Sequence, residues 1–160
     1  MRPQLLLDLV IVPTMEELLP ARMNTPEAWA MLIAIALQES NLEHRRQIKG
    51  PARGFWQFEK SGGVSGVLGH RSTKELAHSV CVALSVTPDA DSVYTAIEYN
   101  DHLACAFARL LLWTLPRPLP AYKDSGPAWM QYIDAWRPGK PHPDGWVRRW
   151  ETAWETVRGY

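Results

Sequence analysis

The chain is 160 residues long, the length of one globular domain, and 46% of its residues are hydrophobic, enough to form one core. Its 17 basic and 17 acidic residues balance, which excludes the overall basic surface typical of proteins that bind nucleic acid or anionic membranes. No apolar run approaches the roughly 20 residues of a membrane span. The apolar N-terminus, residues 1–12, contains Asp8 and lacks a cleavage site. We therefore expect one domain over residues 1–160, made in the cytoplasm without a signal peptide.

Two helix starts are predicted in the first 40 residues. Residues 14–17 read Thr-Met-Glu-Glu, which has the form of a capping box with Thr14 at the N-cap. We expect a short helix to begin there and to end near Pro20. Thr25 precedes a second start, with proline at the first helical position. The segment 26–40 is apolar on nearly every face, which is typical of a buried helix, and it is predicted to be the central helix.

The middle of the chain is rich in glycine. Six of the ten glycines lie in residues 50–69, and glycine is costly in a regular helix. This segment therefore predicts loops, with at most a small β-hairpin around residues 55–59. In an extended run alternate side chains share a face, so Gln57 and Glu59 would lie opposite the two neighbouring aromatic residues.

The second half is predicted to be helical as well. A long helix is expected over residues 91–114, followed by a region, 116–143, that holds seven of the thirteen prolines. A shorter helix is expected within 127–136. Asp144 is then in place to cap a last helix, whose tryptophans recur every four residues from Trp146 and predict a core stripe. Without alternating strands, the fold class is mainly α, with a central buried helix.

Glu39 is the candidate for acid–base chemistry. It ends the apolar helix, where burial disfavours a carboxylate and the partial negative charge of the helix C-terminus does the same. A carboxyl group that stays protonated near neutral pH can protonate the leaving oxygen of a glycosidic bond. Gln57, in the glycine-rich loop, would offer an amide to sugar hydroxyls or N-acetyl groups. From helix position alone, the alternative is a solvated Glu39 just beyond a core helix.

The pair Glu39-Ser40, followed by Gly54-Phe55-Trp56-Gln57, resembles the lytic transglycosylase and goose-type lysozyme superfamily, phage and prophage members included. The resemblance implies a lysozyme-like fold that cleaves the β-1,4 bond between N-acetylmuramic acid and N-acetylglucosamine in peptidoglycan. It implies Glu39 as general acid/base, Ser40 as support for the site and Gln57 as a substrate contact. The family's third element is a helix whose tyrosine leans on the glutamate. Residues 132–139 lie at the corresponding place in the chain but differ from that element in sequence. Either Tyr132 or Trp136 would supply the aromatic group.

The residues leave a second carboxylate open. Glu43, Glu59, Glu98 and Asp101 are candidates, and each is more often a surface charge. The resembled transglycosylases need none, because a hydroxyl of the muramic acid closes an anhydro ring, so hydrolysis and ring closure both remain open. A basic cluster in residues 44–53 would meet stem-peptide carboxylates or nucleic acid phosphate, although a solvated face is the more common outcome.

No cofactor or metal is expected, since the histidines and the two cysteines, Cys81 and Cys105, show no ligand spacing. The cysteines are predicted to be buried free thiols.

The expected partner is the peptidoglycan glycan strand, with no nucleic acid and no stable membrane insertion, while the oligomeric state stays open. A phage lysis or virion-associated protein would reach the wall without a signal peptide. The rival prediction is a non-catalytic helical phage structural or assembly protein that kept the fold.

Overall fold

A computed structural model describes residues 1–160 and shows a mainly helical chain with no β-strand. The α-helices are α1 (Pro3–Leu6), α2 (Val12–Glu17), α3 (Pro26–Ser40), α4 (Ser65–Gly69), α5 (Lys74–Ala83), α6 (Ala90–Ile97), α7 (Asp101–Trp113), α8 (Ser125–Trp136) and α9 (Trp146–Arg158). π-Helical turns cover Leu7–Ile11 and Lys60–Val64, and a 3₁₀ turn covers Ala21–Met23. Every helix is too short or too polar to cross a membrane.

Helix α3 is the centre of the fold, as predicted. The Thr25 hydroxyl caps its start by accepting a hydrogen bond from the Ala28 amide at 3.2 Å. Nine of its fifteen residues are buried, Ile33 and Ala34 completely. Its main partner is α9, and it also packs on α7. The helix stops at Asn41, which takes a left-handed conformation with φ 51°.

Helix α9 covers α3 through the tryptophan stripe, and the predicted core role of that stripe is confirmed. Trp146, Trp150 and Trp154 are all buried. The predicted cap at Asp144 is wrong, because Gly145 precedes the first helical residue with φ 86° and no side chain caps the start. Asp144 lies one position too early, and its backbone carbonyl instead accepts a bond from Arg149 at 3.1 Å.

The predicted start at Thr14 is also wrong. Helical turns run without a gap over residues 3–17 and stop before Pro20. Thr14 lies inside them, fully buried, and its hydroxyl pairs with Nδ1 of His102 at 3.0 Å. Apolar residues upstream belong to the core: Leu6, Leu7, Val10 and Ile11. Their burial extends the helix past the local capping signal, which shows packing overriding propensity.

The helix expected over residues 91–114 is broken into α6 and α7. The Asn100 side chain caps α7 by accepting a bond from the Leu103 amide at 3.0 Å. Gly54, with φ 76°, packs against this break. It lies so close that a Cβ at this position would be 2.9 Å from the Ile97 carbonyl oxygen. The glycine-rich loop is thus seated against the joint between two helices.

The glycine-rich segment forms isolated β-bridges but no β-hairpin with regular strands. Arg53 and Phe58 exchange two backbone hydrogen bonds, of 2.9 and 2.8 Å, around the turn 54–57. The expectation of loops throughout 50–69 is wrong for its second half, where short helical turns run from Lys60 to Gly69. These turns stay short and kink at Gly62, whose φ and ψ of −99° and −107° are not helical.

Candidate active site

Glu39 lies in the last turn of α3, where its carboxyl group is mostly enclosed. Burial raises its pKa to about 7. A hydrogen bond from the Tyr132 hydroxyl, 2.5 Å from Oε1, works in the opposite direction, while the negative charge of Glu59 adds to the rise. Near neutral pH the group therefore exchanges readily between its acid and its base form.

Tyr132 is the aromatic residue that touches the carboxyl group. It projects from α8, is 3% exposed, and its ring stacks on Trp146 at 5.5 Å and 15°. Burial, followed by the charge of Glu39, raises the pKa of its phenol far above the usual range. Tyr132 thus stays protonated and acts as a fixed donor to Oε1.

Ser40 joins the end of α3 to the glycine-rich turn. Its Oγ lies 2.8 Å from the Phe55 carbonyl oxygen and 3.0 Å from that of Ala36, and it accepts a bond from the Leu42 amide at 3.2 Å. The side chain is buried, at 6% exposure. The structure therefore gives Ser40 a supporting contact, and its partners are all backbone groups of the protein.

The turn that carries Gln57 is held from two sides. The Trp56 indole donates to the Leu32 carbonyl of α3 at 2.9 Å, and Trp136 of α8 donates to the Trp56 carbonyl at 2.8 Å. Gln57 itself has φ 50°, and its side-chain nitrogen donates to the Gly54 carbonyl at 2.8 Å. Trp136 therefore supports the turn. The amide oxygen and the second N–H of Gln57 stay free to bond a ligand.

The three arginines of the basic cluster in residues 44–53 are paired with acids of the protein. Arg46 donates hydrogen bonds to both carboxylate oxygens of Glu98, at 2.7 and 2.9 Å. Arg53 lies 4.0 Å from the same carboxylate. Arg45 pairs with Asp101. The bond from Arg46 lowers the pKa of Glu98. These acids lie 52 and 56 residues further along the chain, so the pairing, which fastens the loop to the α6–α7 joint, could not be read from the local sequence.

The four candidates for a second carboxylate differ in the contacts that their side chains make. Glu98 and Asp101 are held by arginines, as above. Glu43 lies beyond the end of α3, where its exposed side chain accepts a bond from Asn41 at 2.9 Å. Glu59, at the end of the glycine-rich turn, is the candidate whose charge acts on Glu39. Glu59 is therefore the candidate that electrostatic influence on Glu39 favours.

Gln38 and Arg149 are neighbours of the site that the sequence reasoning missed. Arg149 of α9 donates to the Gln38 side-chain oxygen at 3.0 Å, and Gln38 donates to the His142 carbonyl at 2.9 Å. The positive charge of Arg149 also acts on Tyr132 and counters part of the rise in the pKa of that phenol. The position of Gln38 next to Glu39 was the one available signal, while Arg149 is 111 residues away.

No three His, Cys, Asp or Glu side chains are grouped to hold a metal ion. Cys81 and Cys105 are buried free thiols, as predicted. Comparison of the chain with protein-family models, curated proteins and solved structures finds no match.

Proposed function

We propose that this protein cleaves peptidoglycan glycan strands at the β-1,4 bond between N-acetylmuramic acid and N-acetylglucosamine, with Glu39 as general acid/base. The observation that carries the proposal is the enclosed Glu39 carboxyl group, whose pKa is raised to about 7 while Tyr132 holds one of its oxygens. An efficient acid–base catalyst has a pKa near the working pH. The Ser40 contact with the glycine-rich turn gives independent support, because it brings the two resembling sequence elements together.

The geometry implies which oxygen carries the proton. Since Tyr132 donates to Oε1, the acid form of Glu39 holds its proton on Oε2. That proton passes to the glycosidic oxygen as the bond from C1 breaks and positive charge develops on the sugar ring. The Glu39 carboxylate then accepts a proton from the attacking group. A muramic acid hydroxyl yields an anhydro ring, and water yields a reducing end.

The superfamily that the Glu39-Ser40 and Gly54–Gln57 motifs resemble includes phage and prophage members. We therefore propose that the protein acts on the cell wall during infection, as a lysis or virion-associated protein. No cofactor enters the proposed reaction, because acid–base chemistry on the glycosidic bond needs only Glu39 and the substrate.

The test is digestion of purified peptidoglycan, with mass analysis of the products. Glu39→Gln keeps the size and hydrogen-bonding capacity but cannot deliver a proton, so we expect a loss of about 10²–10⁴-fold. Glu27→Gln, at the other end of α3, is the matched control and should retain the wild-type rate. Anhydro ends in the products identify ring closure, and reducing ends identify hydrolysis.

Two results would reject the proposal. One is a folded Glu39→Gln protein that digests peptidoglycan at the wild-type rate. The other is a wild-type protein that is inert on peptidoglycans of several types, which would favour the non-catalytic structural protein.

A further inference from the structure

The segment 137–149 concentrates positive charge in a chain whose total charge is zero. It contains Arg137, Lys140, Arg148 and Arg149, together with His142 and one acid, Asp144. None of these side chains forms an ion pair. The cluster in residues 44–53 behaves differently, since its three arginines are held by Glu98 and Asp101. The C-terminal segment is therefore a basic surface whose charges remain available to an anionic ligand.

Both ends of this segment are fixed beside the candidate active site. It begins directly after Trp136, whose indole bonds the glycine-rich turn. It ends in α9, where Trp146 stacks on Tyr132 and Arg149 bonds Gln38. Between them, the His142 carbonyl accepts a bond from Gln38. The basic segment thus borders Glu39 on the side formed by α8 and α9.

The start of the segment also offers room for a ligand chain. A surface depression of about 560 Å³ lies at the end of α8 and is lined by Leu115, Arg117, Ile133, Asp134, Arg137 and Pro138. Arg117 is paired with Asp134, whereas Arg137 is exposed and has no acidic partner. The depression therefore combines apolar side chains with one free guanidinium group. Such a surface suits a short peptide that carries a carboxylate.

We propose that residues 137–149 bind the carboxylates of the stem peptides, so that the preferred substrate is the peptide-bearing glycan strand. This inference rests on the proposed function. The N-acetylated sugars supply hydroxyl and amide groups, which need no cationic partner, whereas the stem peptides carry the negative charge. A strand with its scissile bond at Glu39 brings the peptides of the neighbouring muramic acids close to the site, and both ends of the basic segment are fixed there.

The experiment compares peptide-bearing glycan strands with strands from which an amidase has removed the peptides. The amidase leaves one lactyl carboxylate close to each muramic acid ring, so the comparison isolates the more distant carboxylates of the peptides. The double variant Arg137→Gln, Lys140→Gln leaves the Gln38–Arg149 contact in place. We expect its ratio of kcat/KM on peptide-bearing strands to kcat/KM on peptide-free strands to fall about fivefold below the wild-type ratio. Raising the salt concentration should shrink the wild-type preference, because exposed charge pairs are screened.

The matched control is Arg71→Gln, Lys74→Gln. These two cations have no acidic partner and lie in and just before α5, which packs on α4 and α7. The control should keep the wild-type ratio. An equal ratio in the wild type and in the Arg137 and Lys140 variant overturns the inference while leaving the proposed function standing.

Co-sedimentation separates the two proposals when no cleavage occurs. If the wild type is inert on both kinds of strand, the proposed function fails and binding alone is measured. Weaker pelleting of the Arg137 and Lys140 variant with peptide-bearing strands, and only with those, still supports the inference. Equal pelleting of both proteins contradicts it.

Discussion

At the scale of single residues, the pKa of Glu39 results from opposing influences that mutation can separate. Burial sets the main rise, the Tyr132 hydroxyl bond lowers the pKa and the Glu59 charge raises it. The carboxyl group is the acid only below this pKa, so the alkaline limit of the reaction should fall near pH 7. Each neighbour should then move that limit in its own direction.

We predict that Tyr132→Phe and Glu59→Gln shift the alkaline limb of kcat/KM in opposite directions. Phenylalanine keeps the ring that stacks on Trp146 but removes the donor that stabilises the carboxylate, so the limb moves to higher pH. Glutamine at position 59 removes a like charge, so the limb moves to lower pH. Shifts of the same sign would contradict this account. Loss of activity in Glu59→Gln as severe as in Glu39→Gln would make Glu59 a second catalytic carboxylate.

Gln57 has both a conformational and a chemical role to test. Its φ of 50° favours glycine over a residue with a Cβ, while its amide bonds the Gly54 carbonyl. Gln57→Gly removes the backbone strain and Gln57→Ala keeps it, but both remove the amide. If the amide oxygen binds sugar, kcat/KM should fall about two- to tenfold in both variants. Wild-type kinetics in a folded Gln57→Gly protein would exclude Gln57 from substrate binding.

At the scale of elements, the site depends on how the end of α3 is tied to the glycine-rich turn. Ser40 makes that connection, and Trp56 and Trp136 reinforce it from the two helices beside it. The turn is therefore fastened to both α3 and α8. Loosening it should affect the stability of the protein and the alignment of the site together.

We predict that Ser40→Ala lowers the free energy of unfolding by about 1–3 kcal/mol, because the buried Phe55 carbonyl and Leu42 amide lose their partner. Ser79→Ala is the matched control. Ser79 also bonds the carbonyl four residues earlier in its helix, but at an exposed position, so its loss should change stability by less than about 0.5 kcal/mol. Urea unfolding measures both variants. Equal effects at the two positions would show that the Ser40 contact is unimportant.

Much of this arrangement could be predicted where the signal is local or periodic. The all-apolar run predicted α3 and its burial, and the four-residue spacing of tryptophans predicted the face of α9 that packs on it. Caps were less reliable, since Thr14 is buried within a helix and Asp144 lies one residue too early. Packing of the upstream apolar residues overrides the signal at Thr14, and the left-handed Gly145 precedes the start of α9.

Contacts between distant residues could not be predicted. Tyr132 and Trp136 share a face of α8, one turn apart, so the choice between them depends on where α8 lies along its axis relative to α3, across 93 residues of chain. The break between α6 and α7 was missed because the apolar stripe continues across it. It is fixed by the Asn100 cap and by the close approach of Gly54.

At the scale of the whole molecule, charge is distributed unevenly despite the zero total. The arginines of residues 44–53 hold the loop on the α6–α7 joint, while the unpaired cations of residues 137–149 lie along the border of the site. Helix α9 contributes to both the core and this border, because it buries α3 with its tryptophans and presents Arg149 to Gln38. Stability and the candidate site are therefore linked through the same helix.

Glu39 should make global stability depend on pH. Its pKa rises from 4.5 to about 7 on folding, so between these values the folded state holds more protons than the unfolded chain, and the free energy of unfolding decreases as pH rises. The contribution is fully present below pH 4.5 and is lost above about pH 7. With allowance for partial exposure, the loss is about 2 kcal/mol.

Glu39→Gln removes this titration while keeping a side chain that accepts the Tyr132 bond. We therefore predict that the variant is more stable than the wild type by about 2 kcal/mol at about pH 8, and that the difference shrinks toward zero at about pH 4. Urea unfolding of both proteins at the two pH values measures it. Glu27→Gln, which changes a carboxyl group at the other end of α3, should show no such pH-dependent gain. A difference of the same size at both pH values would mean that Glu39 keeps an ordinary pKa in the folded protein, and the general-acid role would lose its physical basis.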